Sequence, residues 1–145
     1  MLVSQILKDK GSGVVTTKPD ETVGALTRLF RSKRIGAAVV VDGWGKVFGI
    51  ISERDIVYGI ALHGAGALKM RVDELMTTPV LTCAPGDDIK YLMSVMTHRR
   101  VRHLTVMEHG KLCGIVSIGD VVKPVIDETE LEVNVLRDYA RARID

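Results

Sequence analysis

Cysteine is scarce in this chain of 145 residues: only Cys83 and Cys113 occur. Neither sits in a C-x-x-C pair or beside histidine at metal-ligand spacing, so no zinc site and no redox pair is indicated. The thiols read as free and buried, since a bridge between them would be unusual in a reducing cytoplasm. A net charge of +2 is too small to imply a nucleic-acid partner, which requires a concentrated basic surface. Long apolar runs are also lacking. The longest, counting glycine, is Ile35 to Val41, far short of a membrane span, and Met1 to Lys10 holds no apolar stretch of the secretory kind. The expectation is a cytoplasmic protein without membrane contact. No P-loop, no G-x-G-x-x-G, no ordered Ser/His/Asp set and no obvious catalytic carboxylate pair is present. The chain does not read as an enzyme.

The composition that is present, 46% hydrophobic and 26% charged, is that of an ordinary globular protein. Its length suits one compact domain or two small repeats sharing a core. The chain does repeat itself. Val14 to Leu26 (VVTTKPDETVGAL) is answered by Val80 to Leu92 (VLTCAPGDDIKYL), and Gly49 to Val57 (GIISERDIV) by Gly114 to Val122 (GIVSIGDVV). The offset falls from 66 at Leu26/Leu92 to 65 at Asp55/Asp120. The lost residue lies in a polar hairpin turn, Asp42 to Lys46 in the first half and Glu108 to Lys111 in the second.

Each half opens with a short extended segment ending in threonine, followed by proline and acidic residues that start a helix. The apolar positions of that helix, Val23, Leu26, Leu29 and Phe30, or Ile89, Leu92, Val95 and Met96, recur at helical spacing. Two Val- and Ile-rich strands follow, Ala37 to Val41 with Lys46 to Ile51, and His103 to Met107 with Lys111 to Val116. A second helix begins at Asp55 or Asp120. The fold class is α/β of the α+β type: two β-α-β-β-α repeats packed sheet to sheet with pseudo-twofold symmetry, because one unit of about 55 residues buries too little surface alone. The expected division is 1–70 with a linker at His63 to Lys69, 71–126, and a C-terminal helix in 127–145. That helix, amphipathic from Glu128 to Arg143 with Leu131, Val135, Leu136 and Tyr139, is expected to cover the second unit or a partner subunit. Met93 and Met96 read as core filler, and Trp44 as a surface or interface residue.

With Gly-Ile-Ile-Ser-Glu-Arg-Asp, Gly-Ile-Val-Ser-Ile-Gly-Asp and Arg100-Val101-Arg102-His103-Leu104-Thr105-Val106 in order, the repeat resembles the CBS domain, usually found as a tandem pair (Bateman module). The resemblance covers nearly the whole chain. It implies two equivalent clefts between the halves, which in many members hold AMP, ADP, ATP, NAD or S-adenosylmethionine. It further implies a homodimer, a flat disc of four CBS domains, and a stand-alone regulatory module sensing energy or redox state for an unnamed protein target. The expected ligand is AMP or another adenine nucleotide, with NAD(H) in one of two unequal sites.

Asp55 and Asp120 stand where the family places a carboxylate that accepts hydrogen bonds from both ribose hydroxyls. The patterns Ser52-x-x-Asp55 and Ser117-x-x-Asp120 equally fit a helix N-cap followed by an acidic first turn. Free N–H groups at those helix starts suit a phosphate. Arg54 adds a charge that its counterpart Gly119 lacks. Arg102 and His103 offer cations where Gly36 and Ala37 offer none, while Arg99 and Arg100 fit a solvated helix end. By analogy, one cleft combines Thr16 or Thr17, Ile35, Gly36 and Arg102 with Ser117 and Asp120. The other combines Thr82, Val101, Arg102 and His103 with Ser52, Arg54 and Asp55, and Ile50 and Ile115 flank the base.

Overall fold

The computed structural model describes residues 1–11 and 13–144. Helix α1 (Val3–Lys10) precedes the first unit, β1 (Thr16–Thr17), α2 (Val23–Lys33), β2 (Ala37–Val41), β3 (Val47–Ser52) and α3 (Glu53–His63). A short helix α4 (Val72–Leu75) then leads into β4 (Thr82–Cys83), α5 (Ile89–Arg99), β5 (His103–Glu108), β6 (Lys111–Ser117) and α6 (Ile118–Ile144). The expected β-α-β-β-α order is found twice. In each sheet the two-residue strand runs parallel to the central strand and the hairpin partner antiparallel, in the orders β1-β2-β3 and β4-β5-β6.

Local chemistry fixes the elements. Thr22 caps α2 by accepting the N–H of Ala25 at 3.2 Å, and Asp88 caps α5 through the N–H of Lys90 at 2.8 Å. The helical stripes Val23, Leu26, Phe30 and Ile89, Leu92, Met96 are buried against Ala38, Val40, Ile51 and Leu104, Val106, Val116 of the sheets. The unequal hairpins also have a local cause. Asp42 Oδ1 accepts from the N–H groups of Trp44 and Lys46, both at 2.8 Å, which stabilises the longer turn. The shorter turn places His109 and Gly110 at φ of 52° and 75°, the backbone of a tight hairpin. Trp44 is 96% exposed, and Cys83 and Cys113 are free thiols. Burial pushes the Cys83 thiol up to about 12, with Asp87 adding to the shift, so it stays protonated at neutral pH.

The segments that flank the repeats are exchanged. Helix α1 packs on the second unit: Val3 N–H donates to Asp87 O at 2.9 Å, Ile89 N–H to Met1 O at 3.0 Å, and Val3 and Ile6 join the second core. Helix α4 makes the same contacts on the first unit, Val72 N–H to Glu21 O at 2.8 Å and Val23 N–H to Met70 O at 2.9 Å. Met1-Leu2-Val3 and Met70-Arg71-Val72 are thus a further repeat. The glycine that opens each Gly-Ile-[Ile/Val]-Ser stretch makes room for the crossing segment. A Cβ on Gly49 would meet Met76 Sδ at 2.8 Å and Thr77 O at 3.0 Å, and one on Gly114 would meet Leu7 Cδ2 at 2.7 Å.

Two stretches differ from the sequence expectation. The segment expected as a linker is a 3-10 helix over Gly64–Lys69, with Ala67 buried, because Gly24 and Gly59 let Leu68 and Leu75 approach α2 and α3 closely. The C-terminal helix continues directly from the second repeat. α6 runs through Pro124, and no glycine follows Gly119 to terminate it. Its outer residues Leu131, Val135 and Leu136 are exposed.

Gly49→Val is expected to lower unfolding stability by about 1–3 kcal/mol in urea titrations, as overpacking does, whereas Gly43→Ala, with open space around it, leaves the midpoint near wild type. Thr105 is fully buried on β5 and its Oγ1 has no hydrogen-bond partner among the described residues; the equivalent residue of β2 is Val39. Thr105→Val should therefore raise stability by about 1 kcal/mol, and a lower midpoint would show that the hydroxyl is bonded.

Candidate functional site

Both sheets end, at the start of β2 and β5 and the close of β3 and β6, on one cavity of about 390 Å³ between the units. That lies within the range of small-molecule sites, about 300–1,000 Å³. The first unit contributes Gly36, Ile50, Ser52, Glu53, Arg54, Asp55 and the adjoining Thr77; the second contributes Arg100, Val101, Arg102, His103, Ser117, Ile118 and Gly119. Three guanidinium groups and two carboxylates share a wall with Ile50, Val101 and Ile118.

Each aspartate sits in a reciprocal capping box. Ser52 N–H donates to Asp55 Oδ2 at 2.9 Å and the Asp55 N–H returns a long bond to Ser52 Oγ at 3.4 Å. Ser117 N–H donates to Asp120 Oδ2 at 2.9 Å and Asp120 N–H to Ser117 Oγ at 3.2 Å. The helix-start reading of these serine and aspartate pairs is thus realised in the fold. It also holds each carboxylate at the end of its hairpin. Asp55 Oδ1 takes a further bond from Thr77 Oγ1 at 2.8 Å. At Asp120 the corresponding donor is Lys10 Nζ at 2.7 Å, with half-exposed partners. Burial pushes the Asp120 carboxyl up, but the bonds from Lys10 and Ser117 outweigh it and hold it below the ordinary carboxylate value.

Arg54 Nη1 donates to Arg100 O at 2.9 Å and so ties the two units together across the cavity. That carbonyl faces inward because Arg100 caps α5 in the left-handed conformation, φ 54°, a position that glycine usually fills. His103 is half-buried at the start of β5, opposite Ser117 in the ladder. Burial and the charge of Lys10 hold its imidazole below the ordinary value, against the opposing pull of Asp120 and Glu53, so it is neutral at pH 7.

Of the residues singled out from sequence, Gly36, Ile50, Ser52, Arg54, Asp55, Val101, Arg102, His103, Ser117 and Gly119 line this cavity together. Two clefts were expected, and members of both meet in one space that extends across the pseudo-twofold axis. Thr16, Thr17, Ile35, Ala37, Thr82, Ile115 and Asp120 do not line it. Thr16 and Thr82 pair with Val39 and Thr105, further along the ladders from the cavity end, and Thr17 is buried in the sheet. Ile35 borders a shallow depression beside Phe30 and Ile56, and Ala37 is buried opposite Ser52. Ile115 O accepts from Lys10 Nζ at 3.0 Å. Sequence reasoning missed Glu53, Thr77 and Ile118, and it read Arg100 as a solvated helix end although it lines the cavity. The repeat pairing Glu53 with Ile118 was the available signal for those two.

Comparison with known proteins identifies the fold and the family. The profile of the CBS domain matches residues 3–62 and 72–127. The mitochondrial CBS domain-containing protein CBSX3 of Arabidopsis thaliana is 31% identical over 145 residues, covering 94% of this chain and 70% of that protein. A crystal structure of a CBS-domain containing protein from Agrobacterium tumefaciens superposes with a TM-score of 0.82 at 43% identity, over 84% of this chain and 91% of that one. The CBS domain pair of protein MJ0100, solved with 5′-methylthioadenosine and S-adenosyl-L-methionine, shares the fold with a TM-score of 0.78 at 21% identity, over 88% of this chain and 98% of that one. No described helix is long and apolar enough to cross a membrane. With two matched repeats, the exchanged flanking segments and the inter-repeat cavity, the chain belongs to the CBS domain family, as a tandem pair.

Proposed function

We propose that the pair binds an adenine nucleotide (AMP, ADP, ATP or NAD(H)) in the inter-repeat cavity and acts as a regulatory sensor, not an enzyme. The observation that carries this reading is the convergence on one space of three chemically distinct walls. The Asp55 carboxylate, held by its capping box, accepts from ribose hydroxyls. Arg54, Arg100 and Arg102 offer charge-assisted donors for phosphate oxygens, and Ile50, Val101 and Ile118 offer apolar surface for the base. A protein of the same fold holds adenosine-bearing ligands. Because the ligand touches both repeats, binding couples to their relative position and hence to whatever partner reads that shape, in a homodimer or beyond it. Catalysis is disfavoured by how the polar groups are spent: Ser117 Oγ accepts from Asp120 N–H, and the Asp120 carboxylate takes Lys10 and Ser117 N–H rather than orienting His103.

Calorimetric and thermal-shift titrations with AMP, ADP, ATP and NAD(H) test this directly. At least one should bind saturably and raise the unfolding midpoint, and Asp55→Asn, which keeps an acceptor for the helix cap, should weaken it about tenfold to hundredfold, the loss of a charge-assisted bond of about 1.5–3 kcal/mol. No heat and no shift with any of the four would leave the pair a ligand-free interaction scaffold.

His103 adds a pH signature. With its folded value below about 6.5, the unfolded state binds the proton more readily. This residue therefore contributes stability that is present above that pH and lost as the pH falls through it. A phosphate beside the ring favours the charged form, so nucleotide affinity should rise from pH 8 to pH 6, and His103→Gln should flatten the dependence. Histidine ring NMR with and without nucleotide reads the shift, and an unmoved His103 resonance would remove it from the phosphate wall.

A further inference from the structure

The two aspartates are held alike by their serines and differently by the exchanged segments. Beyond α4, Thr77 meets β3: its N–H donates to Ile50 O at 2.8 Å and its hydroxyl to Asp55 Oδ1 at 2.8 Å. Helix α1 is longer and ends on Lys10, whose single ammonium makes both equivalent contacts, to Ile115 O at 3.0 Å and Asp120 Oδ2 at 2.7 Å. One carboxylate thus has a neutral hydroxyl as its partner, while the other is paired with a cation on a four-carbon stem. The open space follows the same division. It reaches Ile50 and Asp55 but stops short of Ile115 and Asp120.

We propose that Lys10 closes the Asp120 half of the site to a ribose, so that each chain takes one adenine nucleotide, at Asp55. This rests on the nucleotide reading above and adds its stoichiometry and the residue that sets it. A diol approaching Asp120 must displace an ammonium that satisfies a backbone carbonyl and a carboxylate at once, and it meets a group whose charge is already compensated. At Asp55 it displaces nothing charged. The surplus guanidinium groups, Arg54 from one repeat with Arg100 and Arg102 from the other, then serve the phosphates of that single ligand.

Titration with ADP, read by calorimetry and native mass spectrometry, decides the matter. Wild type should bind one ADP per chain, Lys10→Ala two, and Lys10→Arg, which keeps the cation, one. Two per chain in wild type, or one in Lys10→Ala, overturns the inference while the nucleotide reading stands. No saturable binding of ADP, AMP, ATP or NAD(H) by any of the three overturns both. A second measurement needs no variant. Acylation of Lys10 by an amine reagent, followed by peptide mass spectrometry, should be unchanged by saturating ADP if the ligand sits at Asp55; a rise in labelling would show that ADP expels Lys10 and would overturn the inference.

Discussion

Strands β2 and β5 are buried on both faces, yet each unit has its packed helices on one. Ala38 and Val40 face the helices of the first core, while Ala37 and Val39, equally buried, lie outside that cluster and are covered from the other side. Neither sheet can satisfy this alone, so the repeats must pair, and most else follows from the pairing. The hairpin turns flank one opening, lined by Trp44 and Lys111, and the helix starts flank the other, where the cavity lies. A ligand there is necessarily held by both repeats. The exchange of α1 and α4 closes the remaining edges, and it delivers Lys10 and Thr77 to the two aspartates.

The capping box gives one residue two duties. A helix following directly on a strand needs acceptors for its first N–H groups, and serine with aspartate at the third position supplies them within four residues. At Asp55 the second carboxylate oxygen then remains for Thr77 and for the cavity. A half-exposed ion pair such as Lys10 with Asp120 is worth about 1 kcal/mol or less. Its importance lies in placement and charge more than in stability, and for the same reason one substitution can change the site without unfolding the protein.

The repeat, the element order and the helical stripes were legible in the sequence because each rests on local chemistry: Val and Ile runs, the caps at Thr22 and Asp88, and apolar spacing over three helical turns. The exchange was not, although its signal is present. Met1-Leu2-Val3 and Met70-Arg71-Val72 share too few letters to stand out, and only their backbone bonds to Asp87 and Glu21 reveal their equivalence. The 3-10 helix over Gly64–Lys69 has no apolar period to betray it, and Pro124 invites a break that the uncapped, glycine-free stretch beyond it does not provide. Within the site, residues fixed by the hairpin ends were legible, since the Gly-Ile-[Ile/Val]-Ser stretch ends at the cavity by construction. The threonines of β1 and β4 fall away from the cavity lining because strand register, not sequence distance, sets how far along the sheet they lie. Lys10 was invisible: its partners are 105 and 110 residues away.

The asymmetry of charge acquires a direction once the repeats are packed. Aligned within the repeat, Arg54 stands against Gly119 and Arg102 against Gly36, which in sequence suggests only that two clefts differ. In space Arg54 comes from the start of α3 and Arg102 from the approach to β5, and both line the cavity that holds Asp55. The Arg54 to Arg100 carbonyl bond further joins these two lines of approach. The cations of both repeats therefore accumulate beside Asp55, whose own partners are Ser52 and Thr77, while Asp120 is paired with Lys10. Duplication produced two equivalent frames, and the substitutions that separate them act together: glycines thin one half of the site, arginines enrich the other, and a lysine from the exchanged helix completes the division.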